Sequence, residues 1–426
     1  MISTMHLIIG SAIFVATLVV VMVRPYRITE AAAAAGGAAL MIIGGFVSVP
    51  EAASVLAGQW NTLGFFLGLM VISAIAEEAG VFEMLAHRAA AWGRGSAVRL
   101  YGAIFLVGTV ISAFLSNDAT ALILTPVVYA LVTRLRLPVL PFMFACTFIA
   151  DTASFILPVS NPINVLVLHS TGGGLATFLR YLALPSIAAI ALNCLVFLWL
   201  FRRDLGQDYA ISTLPARHVA DKPFLAAAVG ILVLIATSYL AASSLGVPLS
   251  FVALGGALLM SAAALIRGRL ELPSLAKKIS WSLFLFVGGM FIVIRAVEDL
   301  GLTGAFGRAL LGLAGGKPFA TVLLVAAGTA LGANLINNVP MALVMVSALH
   351  GLPAGAPAHE SLSYAVMFGA DLGPNLTTVG SLATMLWLVI LRRRGLEVST
   401  RQYFRLGITF VPALIALGSL LIWARL

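Results

Sequence analysis

The sequence predicts an all-α polytopic membrane protein with two inverted-topology repeats, about ten transmembrane helices, two re-entrant hairpins and two broken helices. Three observations predict this fold. The chain is 61% hydrophobic and 10% charged, and its mean hydropathy is +1.08, which is outside the range of soluble domains. Apolar runs of bilayer-spanning length recur along the whole chain. The second half of the sequence also repeats the first.

Ten apolar runs are long enough to cross a bilayer core of about 30 Å as helices that rise about 1.5 Å per residue. Two further apolar stretches, 100–133 and 318–349, are interrupted midway by Asn-Asp and Asn-Asn, and we interpret them as re-entrant hairpins. The predicted spans cover residues 5–23, 31–49, 60–78, 139–168, 182–201, 223–243, 247–266, 281–299, 361–391 and 407–424.

The distribution of basic residues predicts the orientation of these spans. If the N-terminus and the C-terminus both lie on the outer side, 20 of the 25 Lys and Arg residues fall in cytoplasmic loops, as the positive-inside rule requires. The basic residues occupy short loops and form no continuous basic face, so nucleic-acid binding is not expected. We therefore expect a multi-pass protein of the bacterial inner (plasma) membrane, with the lipid bilayer as its surroundings.

The two halves match at a nearly constant offset. Trp60 and Trp281 are 221 positions apart, and Asp151 and Asp371 are 220 apart. Each half contributes five spans and one hairpin, and an odd number of spans turns the second half upside down. We predict a first membrane repeat over 1–201 with an inward-entering hairpin (100–133), a cytoplasmic linker over 202–222, and a second, inverted repeat over 223–426 with an outward-entering hairpin (318–349).

Three acidic residues lie inside the apolar runs, where an ionisable side chain is costly and function is the default explanation. They are Asp118 at the first hairpin tip and Asp151 and Asp371 at matching positions of the two halves. Burial favours the neutral form of a carboxyl group and brings proton uptake and release towards physiological pH. We predict that Asp118, Asp151 and Asp371 include the proton-coupling site.

Two apolar runs are interrupted shortly after an Asp, over 151–164 by Pro and Asn and over 371–381 by Gly, Pro and Asn. Such a helix should break, which leaves backbone groups and amide side chains for a small polar solute. The alternative is that Asn, Ser and Thr only join neighbouring helices, but their repetition at one offset favours binding. The predicted substrate-binding residues are Ser116, Asn117, Asn161, Asn164, Asn337, Asn338, Asn375 and Thr378.

Four other acidic residues end two matching runs. Glu77 and Glu78 correspond to Glu298 and Asp299. We interpret these acids as structural, with Arg295 pairing one helical turn away with Glu298 or Asp299.

Several chemistries are excluded by the sequence. The chain has two isolated cysteines, so we predict no disulfide framework, no thiolate metal site and no cofactor. Gly316-Lys317 is followed by Pro318 and lacks the upstream glycine of a Walker A motif. The chain is therefore not expected to hydrolyse ATP by itself, and we predict a secondary transporter instead of an enzyme.

Four strings occur in the order found in a known family: SND at 116–118, ADTAS at 150–154, NNVP at 337–340 and DLGP at 371–374. In these strings the sequence resembles the ArsB-type arsenite/antimonite efflux permeases of the ion transporter superfamily. Asn375 and Thr378 stand where that family's pattern has a basic residue and a proline. The resemblance implies proton-driven export of trivalent arsenic or antimony, in some members with a soluble arsenite-stimulated ATPase subunit at the cytoplasmic loops.

We predict a secondary active transporter that exports the trivalent metalloid hydroxide in exchange for protons. Amides, hydroxyls and carboxylates suit an uncharged trihydroxide, whereas three thiolates are not available. The alternatives are a Na⁺/H⁺ antiporter or another carrier of the superfamily, a passive channel, and an intramembrane aspartyl protease with Asp151 and Asp371 as its dyad. Sodium-dependent proton movement would identify the antiporter. Flux that runs only downhill would identify the channel, and peptide cleavage would identify the protease.

Overall fold

The computed structural model describes residues 4–23, 28–171, 174–210, 221–350 and 359–426. These residues are predominantly α-helical and contain no β-strand. Among them, nine helices are long and apolar enough to cross a membrane. The prediction of an all-α polytopic membrane protein is confirmed.

The described residues of the first half form eleven α-helices, one π-helical turn over Thr120–Leu124 and one 3₁₀ turn over Pro158–Ser160. The helices are α1 (Thr4–Val23), α2 (Glu30–Ile43), α3 (Val49–Gly58), α4 (Trp60–Glu78), α5 (Val81–Gly93), α6 (Ala97–Phe114), α7 (Asn117–Ala119), α8 (Thr125–Arg134), α9 (Val139–Thr152), α10 (Pro162–Thr171) and α11 (Leu175–Leu200).

In the second half, the part of the chain that the structure describes forms eleven further helices and a 3₁₀ turn over Gly373–Leu376. They are α12 (Lys222–Ser244), α13 (Leu249–Ile266), α14 (Leu272–Lys278), α15 (Trp281–Asp299), α16 (Leu302–Leu313), α17 (Pro318–Ile336), α18 (Asn338–His350), α19 (His359–Leu372), α20 (Leu382–Arg393), α21 (Thr400–Ile408) and α22 (Val411–Trp423).

The second predicted span, 31–49, is longer than the helix that forms there. Helix α2 ends at Ile43 because Gly44 and Gly45 follow it, and Gly45 takes a left-handed φ of 73° that favours glycine. The backbone N–H of Glu51 then donates to the Ser48 hydroxyl, which caps the start of α3. The predicted C-terminal part of this span is therefore a turn and the start of a new helix.

The repeat is visible in how the halves pack. Helix α4 packs against α13, and its counterpart α15 packs against α2. A Cβ atom at Gly68 of α4 would stand 2.5 Å from the backbone of Ala253, and one at Gly289 of α15 would stand 2.7 Å from the backbone of Ala34. Only glycine permits these two close approaches, which lie at equivalent positions of the halves.

The helices form two bundles that contact each other. Helices α1–α4 pack with α12–α15 in what we call the interdigitated bundle, whereas α6–α11 pack with α17–α22 in what we call the core bundle. Helices α5 and α16 follow α4 and α15 and pack against α6 and α18, so they connect the two bundles. Both connectors begin after a glycine in the left-handed region, Gly80 (φ 79°) and Gly301 (φ 75°).

The ends of the long helices carry ion pairs. Arg295 approaches Asp299 at 2.9 Å and Glu298 at 3.8 Å, as predicted, and it also pairs with Glu51 of α3 at 3.2 Å. At the other end of α15, Lys278 pairs with Glu77 at 3.1 Å and with Glu78 at 3.4 Å. The start of α15 thus lies beside the end of its counterpart α4, as an inverted repeat requires.

Both predicted hairpin tips are buried inside the core bundle. The Ser160 hydroxyl donates to the carbonyl oxygen of Ala113 at 3.2 Å beside the first tip, and the backbone N–H of Asn338 donates to the carbonyl oxygen of Gly380 at 3.1 Å at the second. A re-entrant hairpin requires such burial, but α6 and α17 are each long enough to span. The re-entrant topology therefore stays a prediction.

The linker between the halves is described in part. Residues 211–220 lie outside the described residues. Before them, the Tyr209 hydroxyl donates to the carbonyl oxygen of Ala90 in α5 at 2.6 Å, and the Tyr209 backbone N–H donates to the carbonyl oxygen of Gly95 at 2.7 Å, so this end of the linker docks at the end of α5 and the loop between α5 and α6.

Candidate functional site

A cavity of about 450 Å³ opens between the two bundles. We call it the Lys278 vestibule. Glu77 and Lys278 line its mouth, and Ser116, Asp118 and Pro162 line its inner end. Asp118 is half-buried and is the acid of this inner end that faces the cavity. The vestibule therefore connects one end of α4 with the tip of the first hairpin.

The local sequence fixes the conformation of the first tip. The Ser116 hydroxyl accepts from the backbone N–H of Ala119 at 3.1 Å, and the Asn117 amide oxygen accepts from the N–H of Asp118 at 3.0 Å. The first is an N-capping interaction of the kind that Ser favours, and the second is a local side-chain to backbone hydrogen bond of the kind that Asn forms. A π-helical turn follows over Thr120–Leu124 and ends two residues before Pro126, which has no N–H to donate.

The second tip is formed differently. Asn337 takes a left-handed φ of 72°, a conformation that asparagine tolerates better than most residues. Asn337 and Asn338 are 4% and 5% exposed, and the amide nitrogen of Asn337 has no hydrogen-bond partner. Neither residue lines the Lys278 vestibule.

The first broken helix places Asp151 behind the vestibule. Helix α9 ends one residue after Asp151, and the chain turns before it resumes in α10. Asp151 is 1% exposed, and its Oδ2 accepts from the Thr384 hydroxyl at 3.3 Å, while its Oδ1 has no partner. Asn117 lies beside this carboxyl group, and Asp118 lies within electrostatic range of it.

The second broken helix places Asp371 next to the first. Asp371 is 1% exposed, and its Oδ1 accepts from the amide of Asn161 at 2.7 Å, while its Oδ2 has no partner. Asp151 lies within electrostatic range. Each buried acid is thus contacted by a side chain that follows the break in the other half, Asp371 by Asn161 and Asp151 by Thr384.

Further amides hold the two breaks together. The Thr152 hydroxyl accepts from the amide of Asn375 at 2.9 Å and from that of Asn193 at 2.8 Å. The amide of Asn164 donates to the carbonyl oxygen of Ser154 at 2.7 Å. The amide oxygens of Asn164 and Asn375 have no partner. Asn164 and Asn375 thus each donate a hydrogen bond that holds the breaks and keep an amide oxygen that can accept another hydrogen bond.

The structure brings most of the predicted site residues together, although they differ in access. Ser116 and Asp118 line the Lys278 vestibule. The others are buried at the two tips and the two breaks: Asn117, Asp151, Asn161, Asn164, Asn337, Asn338, Asp371, Asn375 and Thr378. Their assignment to substrate or proton stays a prediction.

Three residues that contact the acids or the breaks, Thr384, Thr152 and Asn193, are not among those predicted from the sequence. Thr384 stands 220 positions after Asn164, so the repeat offset itself could have identified it. Thr152 and Asn193 carry no such signal, because their contacts with the second break depend on packing between distant segments.

A second cavity, of about 610 Å³, lies at the other end of α15 and is lined by Glu51, Arg295 and Glu298. Since α15 has 19 residues, this end is about 27 Å from the first. Glu298 and Glu77 are equivalent in the repeat and line opposite cavities. None of the predicted site residues lines the second cavity, whereas Ser116 and Asp118 line the Lys278 vestibule.

Among the described residues, no group of three or more His, Cys, Asp or Glu side chains is arranged to hold a metal ion. Cys146 is buried and Cys194 is partly buried. Neither cysteine is among the residues that line either cavity.

Comparison with known proteins extends over nearly the whole chain. The sequence model of the arsenical pump membrane protein family, ArsB, matches residues 9–424. The arsenical pump membrane protein of Escherichia coli (strain K12) is 32% identical over 407 residues, covering 94% of this chain and 95% of that protein. The arsenical pump membrane protein of Yersinia enterocolitica gives the same identity and coverage.

Two more distant proteins also match. An uncharacterised transporter of Mycobacterium tuberculosis (strain ATCC 25618 / H37Rv) is 28% identical over 375 residues, covering 86% of each chain. The crystal structure of the Alcanivorax borkumensis YdaH transporter, which has an unusual topology, matches with a TM-score of 0.59 and 16% identity over 87% of this chain and 86% of that one. This likeness shows the fold alone. With the family match over residues 9–424, the chain belongs to the arsenical pump membrane protein family, ArsB.

Proposed function

We propose that this protein exports arsenite and antimonite, as neutral trihydroxides, in exchange for protons. The observation that carries the proposal is the position of Asp118 at the inner end of the Lys278 vestibule, with the buried Asp151 within electrostatic range of Asp118 and the buried Asp371 within electrostatic range of Asp151. Ionisable groups placed in this way inside a membrane protein are typical of proton-coupled transport. The relatives that are named arsenical pump membrane proteins support the choice of solute.

The chemistry of the vestibule suits a hydroxide. A trihydroxide offers three O–H donors, and carboxylate and amide oxygens accept them. The unpartnered oxygens of Asp151, Asp371, Asn164 and Asn375 supply such acceptors behind the Ser116 and Asp118 side chains. Because neither cysteine lines the cavity, recognition through oxygen is favoured over ligation by sulfur.

The exchange of solute for protons follows because both compete for the same carboxyl groups. A carboxylate that accepts a hydrogen bond from the solute loses that acceptor when it takes up a proton. Protonation from one face would therefore release the solute, and loss of the proton to the other face would restore binding. Inverted repeats supply two related conformations in which the site faces opposite sides of the membrane.

The direction of transport rests on the orientation predicted from the basic residues. Lys278 belongs to the loops that the positive-inside rule assigns to the cytoplasm. The vestibule then opens to the cytoplasm and loads solute there, with both termini on the outer side of the inner membrane. The family resemblance further leads us to propose that a soluble ATPase subunit can dock on the cytoplasmic loops.

The test is arsenite uptake into everted membrane vesicles with an imposed proton gradient. Asp118→Asn removes the titratable group at the inner end of the vestibule and should abolish proton-driven uptake. Asp204→Asn makes the same chemical change at an exposed position outside the cavity and should transport normally. Full activity of Asp118→Asn would remove this acid from the mechanism.

A Na⁺/H⁺ antiporter is the second candidate, because the same unpartnered carboxylate and amide oxygens are hard ligands that suit Na⁺. Varying sodium in the vesicle assay separates the two. Proton movement that follows sodium and ignores arsenite would favour the antiporter.

A further inference from the structure

Helix α21 has one face at the protein surface and the opposite face packed towards the buried acids. Arg401 and Arg405 on this helix are exposed, whereas Tyr403 is 0% exposed and Gly407 is buried. A Cβ atom at Gly407 would collide with the carbonyl oxygen of Asn375. The helix therefore packs directly on the second break, and this contact sets the depth at which Tyr403 enters the core bundle.

The Tyr403 ring is fixed by its neighbours. It stacks on Phe148 of α9 at a centroid distance of 4.7 Å, and it meets Trp387 of α20 edge-on at 6.1 Å. Both neighbours belong to helices that carry site residues, since α9 ends beside Asp151 and α20 carries Thr384. The ring thus links the two helices that hold this acid.

The Tyr403 hydroxyl is fully buried and has no hydrogen-bond partner. It lies beside Thr384 and Thr147 and within electrostatic range of Asp151. Thr384 already donates to Asp151 Oδ2 at 3.3 Å. A buried hydroxyl without a partner is uncommon and costs stability, so its position next to this contact calls for an explanation.

We propose that Tyr403 is a positioning residue for Asp151. Its hydroxyl donates to Thr384, whose hydroxyl in turn donates to the Asp151 carboxylate. In this structure the second of these hydrogen bonds is made, and the first is open. The chain closes when Asp151 has released its proton, because a hydrogen bond directed at the charged form stabilises that form. The inference rests on the proposed function and adds a residue to its proton site.

The titratable groups that act on or face Asp151 are Asp118 of α7, Asp371 of α19 and Tyr403 of α21. The two acids disfavour a second negative charge at Asp151, while the hydroxyl chain favours it. Removing the Tyr403 hydroxyl should therefore let Asp151 retain its proton to higher pH.

Tyr403→Phe tests this directly, because it removes one oxygen and keeps the ring contacts. Tyr101→Phe is the matched control: Tyr101 is also 0% exposed with an unpartnered hydroxyl, but its neighbours are Cys146 and Cys194. The pH dependence of arsenite uptake into everted vesicles is measured for both variants. With Tyr403→Phe, the acidic limb of the profile should move to higher pH by about half a unit to one unit, the ordinary strength of one hydrogen bond.

A second variant tests the path. Thr384→Val should shift the profile in the same direction, and the double variant with Tyr403→Phe should shift it no further than Thr384→Val alone. Additive shifts, or an unmoved profile in Thr384→Val, would overturn the relay through Thr384. A Tyr403→Phe profile identical to that of Tyr101→Phe would overturn the role of Tyr403.

An infrared titration of the carboxyl groups in purified protein measures the same shift without any solute. If the unaltered protein fails to transport arsenite, the proposed function fails, and the infrared comparison of Tyr403→Phe with Tyr101→Phe still decides this inference. Monodisperse elution of each purified variant from a sizing column confirms that it is folded.

Discussion

Replacing Asn161 by leucine tests the contact that joins the two breaks. Asn161 is 3% exposed, and its amide donates to Asp371 Oδ1 at 2.7 Å. Leucine has a similar size but cannot donate, so Asp371 loses this hydrogen bond. The expected loss in the free energy of unfolding is about 1.5–3 kcal/mol if Asp371 is charged and about 0.5–1.5 kcal/mol if it is neutral.

The size of the loss therefore reports the charge of Asp371. A hydrogen bond to a carboxylate contributes its larger, charge-assisted stabilisation only where the carboxyl group is ionised, so this extra contribution is present at high pH and lost as pH falls. The destabilisation caused by Asn161→Leu should accordingly grow as pH rises. Thermal unfolding of the detergent-solubilised protein, measured from acidic to alkaline pH, gives the difference between the variant and the unaltered protein.

Asn193→Leu is the matched control for this experiment. Asn193 is 0% exposed, and its amide donates at 2.8 Å to the hydroxyl of Thr152, which does not titrate. Its replacement should cost about 0.5–1.5 kcal/mol at every pH. If the two variants lose the same stability across the whole pH range, Asp371 carries no charge that Asn161 stabilises, and the reasoning is refuted.

Three further predictions concern packing, surface charge and thiols. Gly289→Ala should destabilise the protein by about 1–3 kcal/mol, because its Cβ would meet the α2 backbone at 2.7 Å. The control Gly255→Ala should leave stability unchanged, because its Cβ would have no atom within 4 Å. Equal melting temperatures of the two variants would refute the close approach at Gly289. Arg267 and the backbone N–H of Phe224 lower the pKa of Asp221. The stabilisation at the start of α12 should therefore be lost as pH falls through that lowered pKa, and Asp221→Asn should remove this part of the acid sensitivity of unfolding. Alanine at both cysteine positions should leave arsenite uptake intact, and loss of uptake in a folded variant would indicate sulfur ligation.

Much of the fold is predictable from the sequence because lipid restricts the choices. Long apolar runs must be helices, and an interrupted run must turn where its backbone groups can be satisfied. The Asp151 and Asp371 breaks follow from this rule and from the repeat offset. The end of α2 at Ile43 does not follow from apolarity, since residues 44–49 are also mainly apolar; the two glycines after Ile43 decide it.

The sequence predicts which residues form the site but not which of their side chains contact each other. The acids and amides are visible because polar residues are rare in apolar runs. Their partners are not, because Asn161 meets Asp371 across 210 positions and Thr384 meets Asp151 across 233. Tyr403 lies on a short amphipathic helix, where an aromatic residue normally signals only packing. Its relation to Asp151 depends on how α21 docks, which local sequence does not encode.

The central claim is that solute export and proton entry are coupled through the buried acids. The most direct test is the pH inside sodium-free proteoliposomes of purified protein when arsenite is supplied at the vestibule face without an imposed gradient. Inward movement of arsenite should drive protons out, so the lumen becomes alkaline, and Asp118→Asn should abolish this change. Arsenite accumulation in the lumen with no change in its pH would contradict the account.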